Sequence, residues 1–166
     1  MRARHFVVGV LAVTAACAGA PTFDQPTLES RVATRLGRAT GVEVGSVECP
    51  SGVEVEAGAR FRCRATVGDG LTVEVRAEQG TERGALSIRP EQAVLSRSRV
   101  EDDATAALAE RFSRPDVAVT CAGAAVRVEP VGATFTCRAV DGDEDRAVTV
   151  TVRDTAGGLA YRVEDP

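Results

Sequence analysis

The chain has 166 residues and a formal net charge of −4 at pH 7, from 20 basic and 24 acidic side chains. All of the basic side chains are arginine, and residues encoded by GC-rich codons dominate, which indicates a bacterial genome of high GC content. An acidic chain with scattered arginines argues against nucleic-acid binding, which needs a basic face. The same charge balance argues against electrostatic attachment to anionic lipid.

The first residues have the pattern of an export signal. Arg2 and Arg4 precede an apolar run over 6–16. This run is too short for a membrane-spanning helix and is typical of the central part of a signal peptide. We therefore predict a signal peptide over 1–16.

The apolar run leads into a cysteine. The segment Val13-Thr14-Ala15-Ala16-Cys17 resembles the bacterial lipobox, in which cleavage leaves a lipid-bearing cysteine at the new N-terminus. It departs from the usual pattern at Thr14, where an aliphatic residue is preferred. We predict lipidation of Cys17, followed by a flexible linker over 17–26, which would place the protein on the outer face of the cell membrane. Simple secretion after cleavage at Ala20 and an uncleaved anchor are the alternatives.

The chain has five cysteines, so an even set remains if Cys17 carries lipid. The remaining four are Cys49, Cys63, Cys121 and Cys137. An even set in an exported chain indicates disulfides, and spacing alone allows three connectivities. Zinc is the rival interpretation, but its sites use Cys-x-x-Cys spacing or histidine, and neither is present near these cysteines.

One segment of the sequence occurs twice. Gly58–Ala65 recurs as Gly132–Ala139 with six of eight residues identical, at an offset of 74. Its flanks match at similar offsets, namely Cys49 with Cys121, Val73–Arg76 with Val150–Arg153, and Ala85–Ile88 with Ala160–Val163. Small differences in offset are typical of insertions in hairpin loops. The duplication selects the disulfides Cys49–Cys63 and Cys121–Cys137.

Each copy begins with apolar residues at helical spacing. They are Leu28, Val32 and Leu36 in the first copy and Ala104, Leu108 and Phe112 in the second. We predict that Thr27 caps the first helix and that Gly37 or Gly41 ends it. We predict that Asp102-Asp103 lies at the N-terminus of the second helix and that Pro115 ends that segment.

Alternating apolar and polar residues then predict strands joined as hairpins. In the first copy a turn over 68–70 joins two such segments, whose apolar side chains share one face: Phe61, Cys63, Ala65, Val67, Leu71, Val73, Val75 and Ala77. The second copy repeats this with Phe135, Cys137, Ala139, Val148, Val150 and Val152. We interpret Arg60, Arg62 and Arg64 as a solvated strand face paired with Glu74 and Glu78, and an anion site is the less favoured alternative.

These patterns predict an α+β fold of two tandem repeats, over 27–92 and 93–166. Each repeat would have one N-terminal helix packed on a four-stranded antiparallel sheet, with one disulfide. A unit of about 70 residues buries a thin core, so a disulfide is important for its stability.

The sequence contains, in this order, a segment that resembles a lipobox, a predicted short helix, Cys49-Pro50 followed by Gly58-x-x-Phe61-x-Cys63, and predicted alternating strands. The pattern resembles a family of actinobacterial envelope lipoproteins known only as a domain of unknown function. The second copy departs from it, with Ala122 after Cys121. The resemblance implies an envelope location and no activity or site residues. The architecture is also similar to secreted β-lactamase-inhibitor proteins, which have two tandem helix-and-sheet units with one disulfide each.

The sequence offers little catalytic chemistry. The chain has no lysine, and its only histidine, His5, lies in the predicted signal peptide, which excludes Ser-His-Asp and Cys-His nucleophile systems and Schiff bases. We therefore expect no enzymatic activity and no cofactor. Asp141, Asp143 and Asp145 are a weak calcium candidate, but an EF-hand loop would need glycine where Arg146 lies, so an acidic hairpin turn is favoured.

Taken together, these features favour a non-enzymatic binding module held at the membrane by lipid on Cys17. Its expected partner is a protein or an envelope polymer. The alternative is an inhibitor or regulator of an exported enzyme, by analogy with the β-lactamase inhibitors. A purely structural lipoprotein is a third hypothesis.

Overall fold

The structure is a computed structural model that describes residues 20–81 and 85–164. The predicted signal peptide and Cys17 lie outside the described residues. Within the described part of the chain, neither helix is both long and apolar enough to cross a membrane.

The described residues form two units of one helix and four strands, with an additional pair of short strands. The first unit contains α1 (Gln25–Thr40), β1 (Val44–Glu48), β2 (Arg60–Val67), β3 (Leu71–Gln79) and β4 (Leu86–Pro90). The second unit contains α2 (Arg97–Phe112), β6 (Ala118–Cys121), β8 (Thr134–Asp141), β9 (Glu144–Val152) and β10 (Leu159–Val163). The additional strands are β5 (Ala93–Ser96) and β7 (Val126–Glu129).

The first helix begins slightly earlier than predicted. Asp24 is its N-cap, and its Oδ2 accepts hydrogen bonds from Thr27 N at 3.1 Å and Thr27 Oγ1 at 2.6 Å. The prediction of Thr27 as the cap is therefore wrong, because Thr27 lies within the first turn and donates to the true cap. Of the two predicted ends Gly41 is correct, with a left-handed φ of 69° and its N–H donating to Gly37 O. The predicted stripe is confirmed, because Leu28, Val32 and Leu36 are buried.

The second helix also begins earlier than predicted. Ser96 is its N-cap, so Asp102-Asp103 lies in the middle of the helix rather than at its start. The buried stripe is Val100, Ala104 and Leu108. The predicted stripe is thus shifted by one turn, and Phe112 is 49% exposed. The error arose because a four-residue spacing fits equally well one turn further along a helix.

The two sheets have the same topology. The first has the order β1-β2-β3-β4 and the second has β6-β8-β9-β10, with every neighbouring pair antiparallel. Each helix packs on the apolar face of its own sheet and closes a separate hydrophobic core. The predicted α+β fold of two repeats is confirmed.

The strand register corrects the alignment of the two copies. Cys63 lies opposite Val75, and Cys137 lies opposite Val148, so Val75 corresponds to Val148 at an offset of 73. The match of Val73–Arg76 with Val150–Arg153 is therefore wrong by four residues. A strand with alternating valines matches itself when it is shifted by an even number of residues, so sequence alone does not fix the register.

The last strand is corrected in the same way. Gln79 lies opposite Leu86, and Val152 lies opposite Leu159, so these strands also correspond at an offset of 73. The match of Ala85–Ile88 with Ala160–Val163 is wrong by two residues. The offset falls from 74 to 73 because the turn between β8 and β9 is one residue shorter than the turn between β2 and β3.

A short two-stranded ladder, which was not predicted from the sequence, lies between the two cores and packs into both. β5 precedes α2 and pairs antiparallel with β7. Val94 belongs to the first core, whereas its neighbours Ala93 and Leu95 belong to the second. Val126 and Val128 of β7 also pack against the first core. This ladder joins the two repeats.

The first repeat has a reduced version of the same ladder. Thr22 pairs with Glu54, and Phe23 N donates to Val53 O at 2.8 Å. Phe23 packs against the first core. The segment before α1, which the sequence analysis assigned to the linker, therefore takes the same place in its repeat as β5 does in the second.

Candidate functional site

The open face of the first sheet, opposite the core, carries a network of charges. Two of its ion pairs are cross-strand neighbours, Arg60 with Glu78 at 3.1 Å and Arg64 with Glu74 at 3.0 Å. Arg62 pairs with Glu91 at 3.0 Å. The predicted pairing with Glu74 and Glu78 is thus confirmed for Arg64 and Arg60 but not for Arg62. Because these pairs are exposed to solvent, each contributes little to stability.

One row across this face holds only arginines. Arg62 lies directly opposite Arg76, and Arg76 lies directly opposite Arg89. Like charges in directly opposite positions destabilise a sheet. We call these three residues the arginine row.

The arginine row is only partly neutralised. Glu91 is shared, because its Oε1 accepts from Arg76 Nη2 and from Arg62 Nε, each at 3.0 Å. These two hydrogen bonds, with Arg76 the larger influence, lower the pKa of the Glu91 carboxyl. Arg89 is exposed and forms no ion pair with any residue that the structure describes.

A shallow open groove of about 1100 Å³ runs beside the row. Its charged lining is four arginines and one carboxylate, namely Arg60, Arg62, Arg76, Arg89 and Glu78. Ser87 and Gly80 complete the side near β4. The groove is therefore a local basic surface on a chain whose net charge is negative.

The second sheet has a different surface at the same place. Thr136 lies opposite Thr149, and Thr149 lies opposite Arg162, so threonines replace two of the three arginines. Glu164 occupies the position of Glu91 and accepts a hydrogen bond from Thr149 Oγ1 at 2.6 Å. The fold therefore forms without an arginine row.

Each disulfide links the end of the first strand of its sheet to the second strand, with Cys49 directly after β1 and Cys121 as the last residue of β6. Cys49–Cys63 and Cys121–Cys137 are both formed, as the duplication predicted. A glutamate of each helix supports them, because Glu29 Oε1 accepts from Cys49 N at 3.0 Å and Glu101 Oε1 accepts from Cys121 N at 2.8 Å. The bond from Cys49 N, with a second from Gln25, lowers the pKa of Glu29.

These two glutamates were not predicted from the sequence. The offset between Glu29 and Glu101 equals the offset between Cys49 and Cys121, so their correspondence was visible in the sequence. Their role was not visible, because it depends on the helix crossing the first strand of the sheet. They belong to the shared framework of the two copies rather than to a site.

The three acidic residues of the weak calcium candidate do not converge. Asp141 pairs with Arg114 at 2.9 Å, and Asp145 pairs with Arg138. The hydrogen bond from Arg138 lowers the pKa of Asp145. Asp141 shares the inward side of β8 with Cys137, whereas Asp145 lies on the outward side of β9, and Asp143 lies in the turn between the strands. The two paired carboxylates neutralise arginines at separate positions.

Tyr161 is the only tyrosine of the chain and the last acid–base candidate outside the carboxylates. It is half-buried on β10 and packs against the second core. Burial, with a smaller effect from the negative charge of Asp103, raises its pKa to about 12. The phenol is therefore neutral at physiological pH, which suits a packing residue better than a proton donor or acceptor.

The fold and these surfaces define a tandem duplicate of a small α+β unit, with one disulfide in each copy. A family model described as a domain of unknown function (DUF4333) matches the chain twice, over residues 6–84 and 83–157, and the protein belongs to this family. Neither curated proteins nor solved structures gave a match to the chain. Two disulfides favour an oxidising, extracytoplasmic environment.

Proposed function

We propose that the protein is a non-enzymatic extracytoplasmic binding module, tethered to the membrane by lipid on Cys17, whose binding surface is the open face of the first sheet. One observation carries this proposal. The two copies keep the same framework of helix stripe, disulfide and helix glutamate, but their open faces differ. A duplication that keeps its core and changes one surface is expected when that surface contacts a partner.

The available side chains support binding rather than catalysis. All four cysteines of the two repeats are in disulfides, and the chain has no lysine and no histidine beyond His5. The acids on the open face of the first sheet that pair with arginines are Glu74, Glu78 and Glu91. Each of these carboxylates is held in an ion pair with arginine on a solvent-exposed face, which does not place it for acid catalysis.

The tether is supported by the pattern before the first repeat. Cys17 follows an apolar run that resembles a signal peptide, and Pro21 already pairs with the first repeat through its carbonyl and Val55 N at 2.7 Å. Four residues of extended chain span at most roughly 14 Å. Lipid on Cys17 would therefore hold the first repeat close to the membrane surface, with several acyl chains giving stable attachment.

The tether predicts that cells fed a clickable fatty acid will label the wild-type chain and leave Cys17→Ser unlabelled. The thioether and amide sites of lipid attachment both require the cysteine. Label would be detected by in-gel fluorescence after immunoprecipitation. Label that survives in Cys17→Ser, or its absence from the wild type, would rule out this anchor.

The binding surface predicts a directional crosslinking result. A photo-crosslinking residue replaces Ser87, which is exposed on the open face, or Thr34, which is exposed on the opposite side on α1. In intact cells, irradiation should give adducts at position 87 that are several-fold more abundant than those at position 34. Adduct yield would be measured by immunoblotting or by labelling of attached polymer. Equal yields at both positions would contradict the assignment of this face.

A further inference from the structure

We propose that the open face of the first sheet binds the oxyanion groups of an acidic polymer, with Arg62, Arg76 and Arg89 as its central contacts. This inference rests on the proposed binding function and names its ligand class. The shared chemistry is a chain that carries phosphate or carboxylate groups at regular intervals.

The register of the sheet concentrates positive charge in one line. Three arginines occupy directly opposite positions on β2, β3 and β4. Because neighbouring strands are about 4.8 Å apart, the row spans roughly 10 Å across the sheet. A sheet gains nothing from three adjacent like charges, so the arrangement costs stability unless an anion relieves the repulsion.

Among the residues that the structure describes, the counter-charge beside the arginine row is incomplete. Arg62 and Arg76 share one carboxylate, Glu91, and Arg89 has no ion-pair partner among the described residues. Arginine presents a planar fork of donors that matches the oxygens of phosphate or carboxylate. Anionic groups lying along the groove would pair with the arginines that Glu91 neutralises only in part.

The second copy provides an internal comparison. Its equivalent row contains Thr136 and Thr149 with a single arginine, Arg162. The same sheet topology forms around both rows, so folding does not require Arg62 and Arg76. The presence of these two arginines is therefore not explained by the requirements of folding.

The surroundings of the row favour a polymer over a protein surface or a small molecule. Protein hot spots are usually aromatic and buried at the centre of an interface. No aromatic residue lies among the outward-facing positions of β1–β4, and Phe61 at the edge of the groove packs against the core. A small ligand needs a concave pocket that encloses it, whereas this groove is shallow and open.

Binding of the full chain, purified in mild detergent, to a labelled polyphosphate chain tests the proposal by fluorescence anisotropy. Arg62→Thr/Arg76→Thr imports the residues of the second copy and should weaken binding about tenfold or more. The slope of log Kd against log salt should fall by about 1.5, for two lost phosphate contacts. The matched control Arg35→Gln/Arg38→Gln removes two exposed arginines from α1 and should bind as the wild type does.

A gain of function provides the converse test. Thr136→Arg/Thr149→Arg builds an arginine row beside Arg162 and should give two binding sites for each chain by calorimetry. Retained melting behaviour in each variant excludes misfolding as the cause of a change.

Further binding measurements identify the anionic group of the polymer. Polyglutamate in place of polyphosphate distinguishes carboxylate from phosphate, and binding of either polymer supports the proposal. Failure of the wild type to bind both polymers, binding to phosphatidylglycerol vesicles alone, or equal weakening by the α1 control would overturn it. If crosslinks still form at position 87 after such a failure, the proposed binding function stands and only the polymer assignment falls.

Discussion

Reduction of the two disulfides should lower the melting temperature of the protein by about 12–24 °C. The bridged cysteines are 14 residues apart in the first repeat and 16 in the second. In the chain-entropy model, each closed loop of this size contributes about 3 kcal/mol by restricting the unfolded chain. For a chain of this length, each kcal/mol corresponds to about 2–4 °C in melting temperature.

The measurement is a thermal melt by circular dichroism with and without excess reductant, in the Cys17→Ser chain so that only the four bridged cysteines respond. Cys49→Ala/Cys63→Ala and Cys121→Ala/Cys137→Ala should each lose about half of the effect. A further control is reductant added to the chain with all four cysteines replaced, where no additional shift is expected. A melting temperature that excess reductant leaves unchanged would contradict a stabilising role for the bridges.

The disulfides and the buried faces were predictable because their signals are local or duplicated. The period of two in the segment around Cys63 and its copy around Cys137 assigns every side chain to one face. The repeated Phe-x-Cys-Arg-Ala motif then selects one of three cysteine pairings. The charged face of the first sheet follows from the same alternation.

The register and the ladder between the repeats were not predictable in this way. Valines at alternate positions in β3 and β9 allow shifts by two or four residues at no cost in pattern. β5 and β7 have four residues each, and their pairing depends on how the two repeats meet. The arginine row is hidden for the same reason, since Arg62, Arg76 and Arg89 become neighbours only when three strands are paired correctly.

The end of the first sheet at the β2–β3 turn, which contacts β7 at the join between the repeats, differs from the equivalent end of the second sheet. At the join, Val126 lies so close to Gly68 that a Cβ on the glycine would be 2.8 Å from the Cβ of Val126. Val67 and Val73, beside this contact, belong to the first core.

The corresponding positions of the second repeat are charged. Asp141 takes the place of Val67, and Arg146 takes the place of Val73. Asp141 pairs with Arg114 there. The second repeat therefore has charged side chains where the first repeat has buried valines.

Val94→Asn should destabilise the protein by about 3 kcal/mol, while the equivalent change in the first repeat should have almost no effect. Val94 is 4% exposed and packs in the first core, although its chain neighbours pack in the second. The variant loses the burial of an apolar side chain, about 1.5–3 kcal/mol, and buries an amide without a designed partner. Because the ladder packs into both cores, weakening it should uncouple them. The two repeats of the variant should therefore unfold in separate transitions.

Thr22→Asn is the matched control, because Thr22 lies two residues before the cap of α1, as Val94 lies two residues before the cap of α2. Thr22 is exposed and pairs with Glu54, so this variant should stay within about 0.5 kcal/mol of the wild type. Urea unfolding followed by circular dichroism gives both free energies and shows whether one transition becomes two. Similar losses in the two variants would mean that the ladder does not join the cores. A single unchanged transition in Val94→Asn would show instead that the repeats are coupled through other contacts, such as that of Arg99 Nη1 with Ala39 O at 3.4 Å.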